Sequence, residues 1–220
     1  MESQLTLRIG SQDALIAYVN RQLNQLFPDQ GPEPDALALK DALPDALERM
    51  RLLLRGVRAF QTDYFDHFHS LQYASFLYLL GNTLWRDGRH RTLAERLYLL
   101  NRSLNALDFY CGIHLPPLFF ISHGLGAVLG NAQFGNRLVI FQNVTVGRIG
   151  EQRPVLGENV ILYPGATVTG DSVIGSHCVI GAGVVLHRKI VPDQTLVALQ
   201  DGVPVFRPLT RDYAALYWKA

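Results

Sequence analysis

The sequence predicts an α+β chain: an N-terminal helical domain followed by a left-handed parallel β-helix. Two observations predict it. Up to about residue 110 leucine is common and glycine scarce, whereas glycine, valine and isoleucine take over afterwards. Helix formers thus give way to breakers and β-branched residues. In the second stretch apolar residues recur every six positions, which fits neither one helical face nor the period of two of a simple strand. The expected organisation is a helical domain over 1–110, a β-helix over 111–205 and a tail over 206–220.

The elements follow in order. Ser11 can cap a helix whose Leu15, Val19, Leu23 and Leu26 share one face. Pro28, Gly31, Pro32 and Pro34 mark a loop. A second helical region starts at Asp35, with Pro44 as a break or first-turn residue, and Leu47, Met50, Leu54 and Val57 form its apolar stripe. A third helix is expected over about Tyr64 to Trp85, ended by Asp87-Gly88. Thr92 and Glu95 have capping-box spacing for a fourth, running to about Leu107.

The repeat begins with Val128, Phe134, Ile140 and Val146. After a four-residue insertion it resumes at Leu156, Leu162, Val168, Ile174, Ile180 and Leu186. Four positions beyond each stand mostly apolar or small residues: Ala132, Leu138, Val144, Val160, Ala166, Ser172, Cys178 and Val184. A period of six is the hexapeptide solenoid pattern, in which three short strands make one coil of about 18 residues. Left-handed solenoids are an exception to the right-handed crossover rule.

Composition excludes several classes. A chain of 220 residues buries roughly 70% of its unfolded surface and needs no disulfide or metal staple. Cys111 and Cys178 are the only cysteines and sit in no CxxC or Cys/His array. A net charge of +1 gives no global nucleic-acid footprint, although a local basic patch stays open. The stretch MESQLTLRIG has no basic segment ahead of an apolar run, so no signal peptide is expected. The interrupted apolar stretch around Tyr73 to Leu84 is too short to span a bilayer. The expectation is a soluble, cytoplasmic protein with no nucleic-acid or membrane partner.

Several motifs go further. Asn82-Thr-Leu-Trp85-Arg-Asp-Gly88-Arg89 precedes Gly112-Ile-His-Leu-Pro116, an "IHP"-like entry to the solenoid. Ser122-His123-Gly124-Leu125-Gly126 with Val128-Leu-Gly130 parallels "DHATG-x-VxG". Gln142-Asn143-Val-Thr145-Val-Gly147 parallels "QxVTxG", Gly181-Ala-Gly183-Val-Val parallels "GAGSVV", and Gly202-Val-Pro204 parallels "GVPA". On these motifs, residues from about 70 to 208 resemble the hexapeptide-repeat acyltransferases and, within them, the serine O-acetyltransferases. The departures concern acceptor recognition. Ser122 stands where the family has an aspartate, Gly112 where it has an aspartate before "IHP", and Gln152-Arg153-Pro154 where it reads "RHP". The segment between His114 and His123 is a few residues shorter. The C-terminus lacks the isoleucine that docks into cysteine synthase, so that partner is not expected.

The resemblance implies O-acetyl transfer from acetyl-CoA to a small alcohol, with L-serine first on the list and cysteine biosynthesis as its context. A sugar or another hydroxylated metabolite is the alternative acceptor, and a non-catalytic oligomeric scaffold the alternative function. His123 is the implied general base, because a neutral imidazole can take the proton of an alcohol that is otherwise a poor nucleophile; the bland alternative is a turn histidine. Thiolate leaves readily, so neither metal nor acyl-enzyme is needed, and donors must stabilise the oxyanion. Asp108 or a backbone carbonyl could orient the imidazole. Ser122, Asp63 and Asp66 are acceptor-binding candidates; the two acids could equally be solvated helix ends. Arg153, in the insertion, could bind an acceptor carboxylate or a phosphate of acetyl-CoA, or be solvated, and Arg148 is a weaker candidate. Gly147, Gly165, Ala166 and Gly183 would let acetyl-CoA approach the backbone, or simply make turns. Arg188 and Lys189 could reach its phosphates, or lie in solvent. No metal site is expected, because His123, His177 and His187 fall on three faces. His67, His69 and His90 read as surface or helix-packing residues, and His114 as structural. The family implies a homotrimer with sites at subunit interfaces, or a hexamer paired through the helical domains.

Overall fold

The computed structural model describes residues 5–28 and 32–219. The chain forms two compact units. One comprises the residues up to Arg55 together with Phe60–Gly112; the other comprises Gly56–Ala59 and the residues from Ile113 onward.

In the first unit, β1 (Thr6–Leu7) precedes α1 (Gln12–Leu26) and α2 (Pro32–Gly56), then β2 (Tyr64–Phe65), α3 (Ser70–Asp87), α4 (Arg91–Asn105) and β3 (Asp108–Phe109). Ser11 caps α1, its Oγ accepting from Ala14 N at 3.1 Å. Leu15, Val19 and Leu23 are buried, but Leu26, in the last turn, is 47% exposed. Of the expected loop after α1, residues 29–31 lie outside the described residues. α2 runs unbroken through Pro44, contrary to the expected break. Arg49 of α2 ties it to α3, donating to Asn82 Oδ1 at 2.8 Å and Thr83 Oγ1 at 2.9 Å. The third helix starts six residues later than expected, because Tyr64 and Phe65 pair with Thr6 and Leu7 as parallel strands. Gly88, at φ +78°, ends α3 as its sequence suggested. The expected capping box does not form: α4 starts before Thr92, at Arg91, and its cap residue His90 makes no side-chain cap bond. Ala106 ends α4 in the left-handed region.

The second unit holds β4 (Phe119–Ile121), β5 (Val128–Leu129), β6 (Gln133–Phe134), β7 (Leu138–Ile140), β8 (Thr145–Gly147) and β9 (Val155–Leu156). They continue as β10 (Ile161–Leu162), β11 (Thr167–Thr169), β12 (Val173–Ile174), β13 (Val179–Ile180), β14 (Val185–His187), β15 (Ile190–Val191), β16 (Thr195–Gln200) and β17 (Val203–Pro208). Every third strand stacks in parallel. A first face carries β4, β7, β10, β13 and β16, a second β5, β8, β11 and β14, a third β6, β9, β12 and β15. This is a parallel β-helix, its coils about 4.8 Å apart.

The register gives the core. Ile121, Ile140, Leu162, Ile180 and Val197 stack along the first face. Leu129, Val146, Val168 and Leu186 stack along the second. Phe134, Leu156, Ile174 and Val191 stack along the third. Full burial of each such side chain is worth about 1.5–3 kcal/mol. Only the repeat's first member was misplaced: Leu129, not Val128, points inward, and Val128 is 39% exposed. Here the first coil breaks the period, since Leu129 and Phe134 are five residues apart.

At the far end β17 turns back antiparallel on β16, so regular structure passes residue 205 into the expected tail. The chain then crosses the outside of the first face. Tyr217 packs on Phe120 and Phe141 and its hydroxyl lies 3.2 Å from that of Tyr163. Trp218 pairs with Val57. No helix among the described residues is long and apolar enough to cross a membrane.

Candidate functional site

The corner from first to second face is the most unusual part of the β-helix. Ile140 to Val146 spans six residues, but Ile121 to Leu129 spans eight for the same crossing. The extra length makes a bulge with three residues at positive φ, His123 at +59°, Gly124 at +27° and Gly126 at +73°. In the next three coils the same corner has one each, Asn143, Gly165 and Gly183. At φ +73° position 126 favours glycine, and a Cβ there would also displace the Asn143 side-chain oxygen. The bulge is pinned by Ser122 N to Ile140 O at 2.7 Å and Ala127 N to Gly124 O at 3.0 Å. It holds His123 outward and exposed while Ser122 is buried. Leu125 beside it is 63% exposed.

Gly165 and Ala166 lie two coils on at this corner and Gly183 three. Gly165 N donates to Gln142 O, and Gly183 N to Pro164 O. A Cβ on Gly165 would stand 3.7 Å from Gly183 N, so the glycines stack closely. Sequence reasoning quoted Gln142 within a motif without giving it a role. Its side-chain oxygen is buried with no hydrogen-bond partner among the described residues.

The remaining candidates of this unit lie on the opposite edge of the second face. Gly147, at the end of β8, has open space where a Cβ would be. The insertion is a tight hairpin in which Ile149 and Gln152 exchange backbone bonds of 2.8 and 3.1 Å across Gly150. Arg148 and Arg153 flank it, both exposed. Arg188 and Lys189 are exposed at the same edge of a later coil, with Arg188 Nε 3.9 Å from Asp171 Oδ1. The two groups are separated by the width of a three-residue strand, about 10 Å. One edge thus gathers Ser122, His123, Gly165, Ala166 and Gly183, and the other Gly147, Arg153, Arg188 and Lys189.

In the helical unit Asp63 is buried and left-handed, at φ +53°. Its carboxylate accepts from Arg51 Nε at 3.1 Å and from Arg55 at 2.7 and 3.0 Å. Asp66 pairs with Arg8 at 2.7 Å and accepts from Phe68 N at 2.9 Å. Burial pushes its carboxyl upward, but those two donors outweigh it and hold the group below the usual range. Asp108 is held by Tyr98, whose hydroxyl donates at 2.7 Å. Gly112 has a packing reason: a Cβ there would stand 2.9 Å from Trp85 Nε1.

His177 occupies the third-to-first corner at φ +56°, and His187, on β14, lies 3.2 Å from Thr169 Oγ1. With His123 on the first-to-second corner, these three rings occupy different positions around the coil. His67 and His69 pack edge-on against Tyr18 and Phe60.

A β-helix of six-residue repeats, with an exposed histidine on a corner bulge, defines a class. Residues 153–188 match the family model for bacterial transferase hexapeptide repeats. Within that class the chain resembles the serine acetyltransferases. It is 38% identical over 105 residues to serine acetyltransferase of Synechococcus elongatus, covering 46% of this chain and 43% of the relative. It is 32% identical over 134 residues to that of Staphylococcus aureus, covering 53% and 63%. The chain thus spans less than two thirds of these relatives. Among solved structures, serine acetyltransferase of Vibrio cholerae superposes with a TM-score of 0.72 at 22% identity, covering 93% of this chain and 83% of that one. A serine acetyltransferase in complex with CoA gives 0.71 at 21%, covering 87% and 84%.

Proposed function

We propose that this chain is an acetyl-CoA-dependent O-acetyltransferase whose leading acceptor is L-serine. The bulge that holds His123 outward at the coil corner carries the reading. His123 takes the proton of the acceptor hydroxyl as its oxygen attacks the thioester carbonyl. The C–S bond then breaks, the acetyl ester forms, and the proton passes to the departing thiolate. General-base help of this kind is worth about 10²–10⁴-fold. Gly147 and the stacked glycines at 165 and 183 suit the close approach of an extended cosubstrate, which supplies the activated acetyl group. Arg188 and Lys189 are proposed for its phosphates, and Asp66, Ser122 and Arg153 for the acceptor, whereas the Asp63 carboxylate is engaged by Arg51 and Arg55.

Two departures favour a second acceptor class, a sugar or other hydroxylated metabolite. Ser122 and Arg153 alter positions with which the family reads serine; Ser122 is buried and Arg153 stands on an exposed hairpin. We further propose that the protein is a homotrimer. Val185 and Ile190, 57% and 76% exposed on the second and third faces, suit burial against another copy.

Thiol release from acetyl-CoA tests the reading. Serine-dependent release that falls at least about 100-fold in His123→Ala supports it. Release with a sugar but not with serine selects the second acceptor. Full activity in His123→Ala would sink the proposal.

A further inference from the structure

An open cavity of about 340 Å³ lies at the other edge of the first face from His123, between the third-to-first corner and the chain after β17. This is the size of a small-molecule site. Its floor is apolar, formed by Ile161 and Val179 of the face and Leu209 of the crossing chain. Its polar lining is uncommitted. The side chains of His177, Gln194, Thr210 and Arg211 make no hydrogen bond or ion pair among the described residues. Arg211 is exposed and lies with its guanidinium carbon 4.4 Å over the Tyr213 ring centroid, a contact that uses none of its N–H donors. Asn159 also lines the cavity. It is 8% exposed, and its side-chain oxygen has no partner among the described residues. That oxygen is an acceptor, so it calls for a donor such as water and plays no part in holding an anion.

We propose that this cavity binds a small organic carboxylate with a short hydrocarbon body, apart from the proposed acetyl-transfer site. Arg211, Gln194 and Thr210 supply donors to the carboxylate, and the apolar floor takes the body. Charge selects a monoanion. Asp212 also lines the cavity, its Oδ1 accepting from Ala214 N at 2.9 Å, so Arg211 and Asp212 together leave little excess positive charge for a dianion. A bound ligand would bridge the coil corner and the crossing chain.

Isothermal titration calorimetry of the full chain with butyrate, butyramide and inorganic phosphate tests this. Saturable butyrate binding is expected, with butyramide and phosphate weaker. Arg211→Gln should weaken butyrate by about tenfold or more, because a charge-assisted bond is lost. Gln194→Leu should weaken it less, and His123→Ala not at all. Butyramide or phosphate binding as tightly as butyrate, unchanged affinity in Arg211→Gln, or no butyrate binding at millimolar concentration would overturn the assignment. Loss of binding in His123→Ala would also overturn it, by moving the butyrate site to the opposite corner. Acetyl transfer can succeed or fail independently of all these outcomes.

Discussion

Asp63 and Asp66 stand three residues apart and do different work. Asp63 is enclosed with Arg51 and Arg55; its side chain is 10% exposed. Asparagine at this position keeps a residue that tolerates the left-handed region but removes the charge that two arginines share. Asp63→Asn is therefore expected to cost about 3 kcal/mol and lower Tm by roughly 5–10 °C. The Arg8–Asp66 pair is exposed, at 46% and 21%, and such pairs contribute about 0–1 kcal/mol. Asp66→Asn should leave Tm nearly unchanged, so a raised KM for acceptor in that variant would report binding. Thermal unfolding of both variants beside acceptor titrations checks this; an unchanged Tm for Asp63→Asn would remove its structural role. Neither behaviour was legible in the sequence. The arginines that hold Asp63 lie 12 and 8 residues earlier, on α2, and a linear reading shows only charged residues in and beyond a helical stretch.

Elements explain which parts of the chain were readable. The solenoid was, because one residue in six must be apolar to fill each coil, and that constraint repeats. Its register failed only at Val128, because Leu129 and Phe134 are five residues apart rather than six. Helix ends were less readable. The Tyr64–Phe65 strand depends on pairing with residues nearly 60 positions away, which no local window contains. Pro44 was expected as a break or a first-turn residue, yet it lies inside α2, where tertiary contacts hold the helix together despite a lost hydrogen bond. Pro44 is exposed, so Pro44→Ala should stabilise the protein by about 2 kcal/mol in urea unfolding. No gain would show that α2 already relaxes around the ring. The glycines of the coils separate in the same way. A Cβ on Gly157 would stand 2.7 Å from Ser176 N, against neighbouring backbone. Gly157→Ala should destabilise by about 1–3 kcal/mol. Gly147→Ala meets nothing within 4 Å and should leave Tm unchanged. If Gly147 borders the acetyl-CoA path, its KM for acetyl-CoA rises. Equal Tm losses in the two variants would contradict this distinction.

At the scale of the second unit, the first face is apolar on both sides. Phe120, Val139, Ile161 and Val179 form an outer row, each at most 5% exposed. The chain after β17 covers part of this row, with Arg58 N donating to Tyr217 O at 2.7 Å and Lys219 N to Gly56 O at 2.8 Å. Stopping the chain after Pro208 should expose the row, lower Tm and raise binding of a hydrophobic dye; unchanged dye binding would mean the covering is dispensable. This role of residues 209–219 could not be read in advance, because the segment has no period and its partners lie across the solenoid. The reversal of β17 has a consequence of another kind. A stack of parallel coils could in principle be extended by any strand added in the same sense. On the first face the final strand runs the other way, and it carries Pro204 and Pro208, which have no N–H to offer a newcomer. Along that face the molecule therefore contains its own stop signal, setting a last rung on a ladder that the repeat alone would leave unending.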